Sequence, residues 1–376
     1  MENHKPTFLY STIFLLIFNV ELSTAISCKT ETDQDIDWFI IYKLPAIASE
    51  KPESYLEKGT AYAYMTSDDS LLWTLSSISV ESENSMLGKT FNEFRSKKDK
   101  DPNTTYLFYN DDPPHGNKSN AGYLKGYLAF NEESGFWLIH SIPKYTDSDK
   151  HLFPSEAVPY GHMAICITFK TKILSKICTH LLYCNPNIYD YKISNKIKQT
   201  LDEASLSLFS ENPDFITEPS EEPIEFMLES SDGQSFYGFA KNNQEDFDLY
   251  ADRIVALTMI DLMVESERHG AGKALGPSCR SEHTVRDVTA IDLMVHKKNI
   301  LFNSTEDHSK WAISEDDSTK TVCIADLNRM ESETKRGGGA LCFYSPSTCI
   351  IFAWLLFKLK IEIFDKAGIN NLILGK

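Results

Sequence analysis

The chain has 376 residues, 42% of them apolar, enough to build one large domain or two packed halves. Its 37 Lys and Arg face 54 Asp and Glu, a formal net charge of −17. A surface this acidic repels a phosphate backbone and excludes a general nucleic-acid-coating protein, while leaving room for a small basic groove.

In chain order, residues 1–27 read as a secretory signal peptide, with Lys5 as the positive start, an apolar core over 8–20 and Ala25-Ile26-Ser27 as a small-x-small cleavage site. The apolar run is too short to span a bilayer, so no membrane span is expected. Cleavage there would start the mature chain at Cys28. It would remove Glu2, Lys5 and Glu21, leaving a net charge of −16. All eight cysteines follow: Cys28, Cys166, Cys178, Cys184, Cys279, Cys323, Cys342 and Cys349. An even number in a secreted chain implies disulfides, and no Cys-x-x-Cys or Cys/His cluster has metal-ligand spacing. Three sequons, at Asn103, Asn117 and Asn303, point the same way and mark glycosylation sites.

The first half is rich in short apolar or aromatic runs between turn residues. They predict strands over 36–44, 60–65, 106–109, 125–130, 135–141 and 163–169. Residues 85–97 have helical spacing, with Met86, Thr90, Phe91 and Phe94 as a core-facing stripe. Beyond residue 195, helices are expected over 197–209 and 247–265, an acidic Pro/Ser-rich surface loop over 211–223, and a buried strand over 322–327. Between Lys198 and Lys241 there is no Lys or Arg, but there are ten Asp and Glu. The alternation of helical and strand patterns predicts α/β layers in both halves. The apolar run at 349–357 is too short for a membrane helix and reads as a buried strand or an altered C-terminus.

The chemistry concentrates in Asp307-His308-Ser309-Lys310-Trp311. Two residues apart on an extended strand share a face, so His308 and Lys310 can reach one group together. A fixed ammonium can neutralise a phosphate oxygen while an imidazole attacks phosphorus or moves a proton. Gly122-Tyr123-Leu124-Lys125-Gly126 has the same layout with tyrosine in the histidine's place. Lys335-Arg336-Gly337-Gly338-Gly339 is a candidate phosphate cradle or a flexible hairpin. Gly270 to Gly276 fits no nucleotide-loop spacing, and His140 at the end of an aromatic strand reads as structural.

Taken together, Asp37-Trp38-Phe39, Tyr42 to Pro45, Tyr109 to Pro114, Gly135-Phe136-Trp137 with His140 to Pro143, His308 to Trp311, and Cys323 to Arg329 through Gly339 resemble the deoxyribonuclease II family over 28–342. The resemblance implies an α/β (α+β) fold like the phospholipase D superfamily, with two pseudo-symmetric halves, 28–194 and 195–342, sharing one central cleft. Residues 343–376 form an atypical tail. It implies a metal-independent acid endonuclease, secreted or lysosomal, that cuts double-stranded DNA to 3′-phosphate ends without a cofactor. One neutral imidazole would form a phosphohistidine, the other would protonate the leaving 5′-oxygen, and two lysines would hold the non-bridging oxygens.

Carried over by residue, His308 and Lys310 match one catalytic pair and Lys125 the lysine of the other, while Tyr123 replaces a catalytic histidine. A phenol, with pKa near 10, is a poor acid at acidic pH. His115 is the nearest other imidazole in sequence, and two lesser departures are His162, where the family tends to have glutamine, and Ala325, where it tends to have glycine. The family pattern also implies the bridges Cys28–Cys166 and Cys323–Cys342, and pairs Cys279 with a late cysteine, here Cys349. The expectation is a deoxyribonuclease II-like protein with impaired activity. The alternative is an inactive pseudo-nuclease that binds DNA or a protein partner. Phospholipid phosphodiester chemistry is a remoter reading, suggested by the superfamily alone.

Overall fold

The computed structural model describes residues 25–354 apart from 49–50, 70–71, 221–224, 270–271, 279–281, 296–297 and 317–318. Nineteen described strands follow one another along the chain. The first ten are β1 Cys28–Lys29, β2 Asp35–Ile36, β3 Trp38–Lys43, β4 Tyr62–Thr66, β5 Thr74–Leu75, β6 Thr105–Asn110, β7 Lys125–Phe130, β8 Ser134–His140, β9 His162–Lys170 and β10 Ile188–Lys192. The remainder are β11 Glu225–Glu229, β12 Ser235–Lys241, β13 Leu262–Glu265, β14 Val285–Asp287, β15 Ala290–Val295, β16 Lys298–Asn303, β17 Trp311–Ser314, β18 Thr321–Ala325 and β19 Gly338–Tyr344. An eight-stranded sheet has the order β10-β6-β7-β8-β9-β3-β4-β5, and a seven-stranded sheet the order β11-β12-β19-β18-β17-β13-β14. Each large sheet therefore draws on its own stretch of chain.

Strict alternation makes both sheets two-faced. In β3, Trp38, Ile40 and Tyr42 face one apolar cluster and Phe39 and Ile41 another. In the second sheet Trp311, Ile313, Val322, Ile324, Leu341 and Phe343 join the first of these clusters. The two sheets thus share one core, which Trp38 and Phe343 cross with ring centroids 5.6 Å apart. The outer face of the first sheet is covered by the helix Met86–Lys100, capped by Ser85, with the expected Met86, Phe91 and Phe94 buried. The outer face of the second packs on a π-helical turn, Leu249–Ile254, running into Val255–Thr258. The architecture is mixed α and β, as expected.

The helical expectations of the second region are only partly met. Residues 197–209 hold two short helices, Asn195–Lys198 and Glu203–Ser207, each opened by its own cap, Ser194 and Asp202. Residues 247–265 are helical only to Thr258; Met259 then takes a left-handed φ of 56° and the chain enters β13. The apolar stretch after Cys349 is not a strand: Pro346–Trp354 is a helix that buries Cys349 and Phe352, and Phe352 packs on Trp73 and Trp311. The rest of the proposed tail, 355–376, lies outside the described residues.

Two disulfides close as the family pattern implied. Cys28–Cys166 ties the N-terminal strand to β9, and Cys323–Cys342 joins facing residues of β18 and β19. Cys279 lies outside the described residues; Cys178 and Cys184 are buried thiols. Most of the proposed leader, 1–24, is also outside them. Ile26, by contrast, is fully buried in the outer core of the first sheet, and its amide donates to Ser134 Oγ at 3.0 Å. Among the described residues no helix is long and apolar enough to cross a membrane.

Candidate functional site

Both motif segments run directly into central strands, Tyr123 just before β7 and His308 just before β17. The topology brings these strand entrances together. Tyr123 donates its amide to Gly337 O at 2.7 Å, binding the first motif to the glycine run before β19. Gly122 donates to Asn185 O at 2.6 Å, and a Cβ there would lie 2.1 Å from Cys184 O. That position therefore requires glycine. A parallel backbone bridge pairs Gly161 with Asp307, with His308 N donating to Gly161 O at 2.9 Å.

The half-buried Tyr123 ring is the meeting point of the cations. Lys125 Nζ lies 4.1 Å from its centroid, Arg336 Cζ 4.8 Å, Lys310 Nζ 5.4 Å and Lys118 Nζ 5.9 Å. Lys125 and Lys310 are buried, at 4% and 2% exposure, yet both reach this one ring. The lysines of the two motifs thus converge on the Tyr123 ring. Burial, with Glu333, Glu267 and Asp111 nearby, pushes the Tyr123 phenol well above its ordinary pKa, opposed by a hydrogen bond with the Asn328 side chain. Such a phenol neither donates a proton readily nor ionises to a nucleophile.

Carboxylates balance the cations. Lys125 Nζ donates to buried Asp111, whose other oxygen lies 3.7 Å from Arg336. Burial alone would raise Asp111, but Lys125 and Arg336 outweigh it and its pKa is lowered. Glu333 holds Asn328 through both carboxylate oxygens, at 2.6 Å from its amide and 2.8 Å from Nδ2; burial raises it. Asp326 accepts from Gly339 N at 2.9 Å, and burial pushes it up to about 7 despite Lys125 and Lys310. Lys310 is lowered by burial and donates to His308 O at 2.9 Å.

His308 lies at the solvent edge of the group. Its ring stacks on Tyr160, centroids 4.0 Å apart at 16°, and meets His162 at 5.5 Å and 84°. Nε2 is 3.7 Å from Glu267 Oε1. Burial lowers its pKa to about 4; Glu267 opposes this, and Lys310, Lys43 and Lys125 reinforce it. Burial therefore favours the neutral ring at mildly acidic pH. The preceding Asp307 is fully buried and accepts from Tyr42 Oη at 2.5 Å, Ser309 Oγ at 2.6 Å and Ser309 N at 3.0 Å. Tyr42 belongs to the first sheet, so the first sheet fixes the residue beside His308.

Other sequence candidates stand apart. Lys335 is largely exposed and lies 3.6 Å from Asp246. The amides of Gly337 and Gly339 already donate, to Asn243 Oδ1 and Asp326 Oδ2, as the glycine run enters β19. His115 is exposed beside Asp147 at 3.5 Å. His140 is buried, accepts from Ile142 N at 3.1 Å and is held well below its ordinary pKa by burial and Lys125. Of the sequon asparagines, Asn117 and Asn303 are exposed and Asn103 is half-buried. Asp111, Glu267, Asn328, Glu333 and Tyr160 carry no signal of their own in sequence; only the strips around Asp111 and Asn328 hinted at them. Among the described residues no group of three or more His, Cys, Asp or Glu is arranged to hold a metal ion.

A family profile described as Deoxyribonuclease II matches residues 27–360. The chain is 33% identical to Plancitoxin-1 of Acanthaster planci over 342 residues, 89% of this chain and 92% of the relative. It is 31% identical to Deoxyribonuclease-2-alpha of Rattus norvegicus, over 89% of this chain and 94% of the relative. With Deoxyribonuclease-2-beta of Homo sapiens the identity is 32%, over 89% and 91%.

Proposed function

This chain belongs to the deoxyribonuclease II family, and from that premise we propose that it binds a DNA phosphodiester between Lys125, Lys310 and His308 and cleaves it slowly. The carrying observation is the placement of Tyr123 among Lys125, Lys310 and Arg336. Neutral His308 would attack phosphorus, forming an N–P bond as the P–O5′ bond breaks, and the two lysines would stabilise the non-bridging oxygens. Water would then release the 3′-phosphate. The departing 5′-oxygen needs a proton, and Tyr123 offers it only from a phenol held well above the usual range. Losing a general acid costs about 10²–10⁴-fold, so residual turnover is small.

The same observation favours a second reading, a pseudo-nuclease. The cations that hold a phosphate are intact, while the proton donor is not. In either reading the two large sheets are the two halves, 28–194 and 195–342, around a shared cleft; the separation of their strands along the chain supports this. Secretion or lysosomal delivery fits the leader-like N-terminus, the two disulfides and the exposed sequons at Asn117 and Asn303. Buried Ile26 favours cleavage after Ala25, where Ser23-Thr24-Ala25 supplies another small-x-small site, over cleavage after Ser27.

Plasmid nicking at about pH 5 in excess chelator, with duplex binding measured in parallel, tests the proposal. Slow nicking that His308→Ala abolishes supports the nuclease. Binding without nicking supports the pseudo-nuclease. Neither binding nor nicking overturns both.

A further inference from the structure

Residues 157–162, the segment entering β9, are fastened more firmly than a loop at a sheet end requires. Lys43, a fully buried β3 residue, donates its ammonium to three carbonyls of this segment: Ala157 at 2.8 Å, Val158 at 2.5 Å and Tyr160 at 2.5 Å. Further on, Gly161 N donates to Glu306 O at 2.8 Å and Gly161 O accepts from His308 N at 2.9 Å. A Cβ at Gly161 would lie 2.3 Å from Asp307 Oδ1, so only glycine allows this approach. The segment is thus held by a lysine of its own sheet and by the backbone of the other.

What it presents is two rings. Tyr160 lies flat on one face of the His308 imidazole, and His162 stands perpendicular to it. Tyr160 is 37% exposed and lies over an imidazole that is only partly exposed, so it shields that ring from water. His162 is fully buried; its Nδ1 lies 3.1 Å from Ser141 Oγ, and its Nε2 has no hydrogen-bond partner. Ser141 Oγ also accepts from Met163 N at 3.1 Å, which fixes the hydroxyl that orients His162.

We propose that Tyr160 and His162 are positioning residues that hold the His308 imidazole in one orientation and keep water from it, with Lys43 anchoring the segment that carries them. Histidine attacks through one nitrogen, and a ring free to turn about its Cβ–Cγ bond would present that nitrogen only part of the time. A stacked face and a perpendicular neighbour remove that freedom. The charged and titratable groups around His308 are Glu267, Lys310, Lys43, Lys125 and His162. Of these groups, Glu267 favours an imidazolium. Excluding water from the ring therefore also keeps it neutral.

The catalytic meaning of the clamp rests on the proposed phosphodiester chemistry; the clamp itself does not. The test separates them by following the His308 ring directly, by NMR titration of the full chain with labelled histidine, using His308→Asn to assign the signal. Wild type is expected to titrate near 4. Tyr160→Ala, at a half-exposed position that the fold tolerates, moves the midpoint up toward the ordinary value of about 6.5. Tyr160→Phe keeps the stacked ring and leaves the midpoint in place. His162→Ala raises it and broadens the signal as the ring begins to reorient. In the Tyr123→His background, Tyr160→Ala lowers kcat about tenfold to a hundredfold with little change in KM. An unchanged midpoint and line width in both alanine variants overturns the proposal, as does a shift in Tyr160→Phe equal to that in Tyr160→Ala. A shifted midpoint with no cleavage in any background leaves the clamp standing and removes the nuclease reading alone.

Discussion

Lys125 Nζ stands 4.1 Å from the centre of the Tyr123 ring. A cation over an aromatic face gains about 0.5–2 kcal/mol, more as water is excluded. The residue that replaces the expected imidazole therefore does not leave a hole. It gives Lys125 a second contact beside its ion pair with Asp111, and Arg336 lies 4.8 Å from the same ring. A ligand phosphate has to compete with that ring for the same cations.

Restoring the imidazole is the most direct consequence. Tyr123→His supplies a proton donor for the leaving oxygen and is expected to raise plasmid cleavage at pH 5 by about 10²–10⁴-fold. The gain disappears in the double variant with His308→Ala. No gain, with the fold intact by circular dichroism, would mean that the site is impaired at more than one residue.

Cations inside and outside the cluster separate by salt dependence. On the proposed reading, Lys310→Gln and Arg336→Gln would each remove one cation facing a phosphate and are expected to weaken duplex binding and lower the slope of log K against log salt by about 1. Lys335→Gln leaves the slope unchanged, because Lys335 is largely exposed and stands beside Asp246. Fluorescence anisotropy of a short duplex over a salt series checks all three.

Asp326 gives the site a pH dependence. Its folded pKa, about 7, is raised above the ordinary value near 3.8, chiefly by burial. A carboxyl raised in this way contributes stability that is fully present below the unfolded pKa and lost as pH rises through the folded one. Wild type is therefore expected to lose a few kcal/mol between pH 5 and 8 relative to Asp326→Asn, in urea unfolding at each pH. Ionised Asp326 also adds a negative charge near Lys125 and Lys310, so duplex binding weakens over the same interval in wild type only. Parallel pH profiles for the two proteins would contradict this.

Arg329 is 1% exposed and bonds Asp248 at 2.8 and 3.0 Å, Asp287 at 2.5 Å and Gly276 O at 3.0 Å. Arg329→Met removes the cation from Asp248 and leaves Asp287 to Arg268, 3.3 Å away, at a cost of about 3–5 kcal/mol in denaturant unfolding. Arg329→Lys recovers little, because an ammonium cannot reproduce the fork.

If the leader is removed on expression in a secreting host, N-terminal sequencing is expected to give Ile26 as the first residue, because its side chain is buried and its amide bonds Ser134 Oγ. A start at Cys28 would refute that processing site.

The motifs singled out His308, Lys310, Tyr123 and Lys125 as a candidate site, and the alternating strands showed that two-faced sheets would hold them. Lys125 and Lys310 do meet, although 185 positions apart along the chain. What could not be read was the company they keep. Asp111 and Glu333 look like ordinary surface carboxylates until the topology packs them against Lys125 and Asn328. Helical spacing over 247–265 was misleading because the residues after Thr258 are apolar for the sake of β13, and periodicity cannot tell a buried strand from a buried helix. Lys43 illustrates the same limit: a lysine between tyrosine and leucine in a strand gave no sign of its three carbonyl partners.

Residues 211–220 run as a mostly exposed stretch between the strands of one large sheet and those of the other. Neither described disulfide crosses that stretch, since Cys28–Cys166 closes before it and Cys323–Cys342 after it. A protease nick there would leave two fragments joined through the common apolar interior and hydrogen bonds such as Tyr42 to Asp307. The nicked molecule should migrate as one species on a native gel and come apart in detergent without any reductant, a non-covalent heterodimer made from a single gene product.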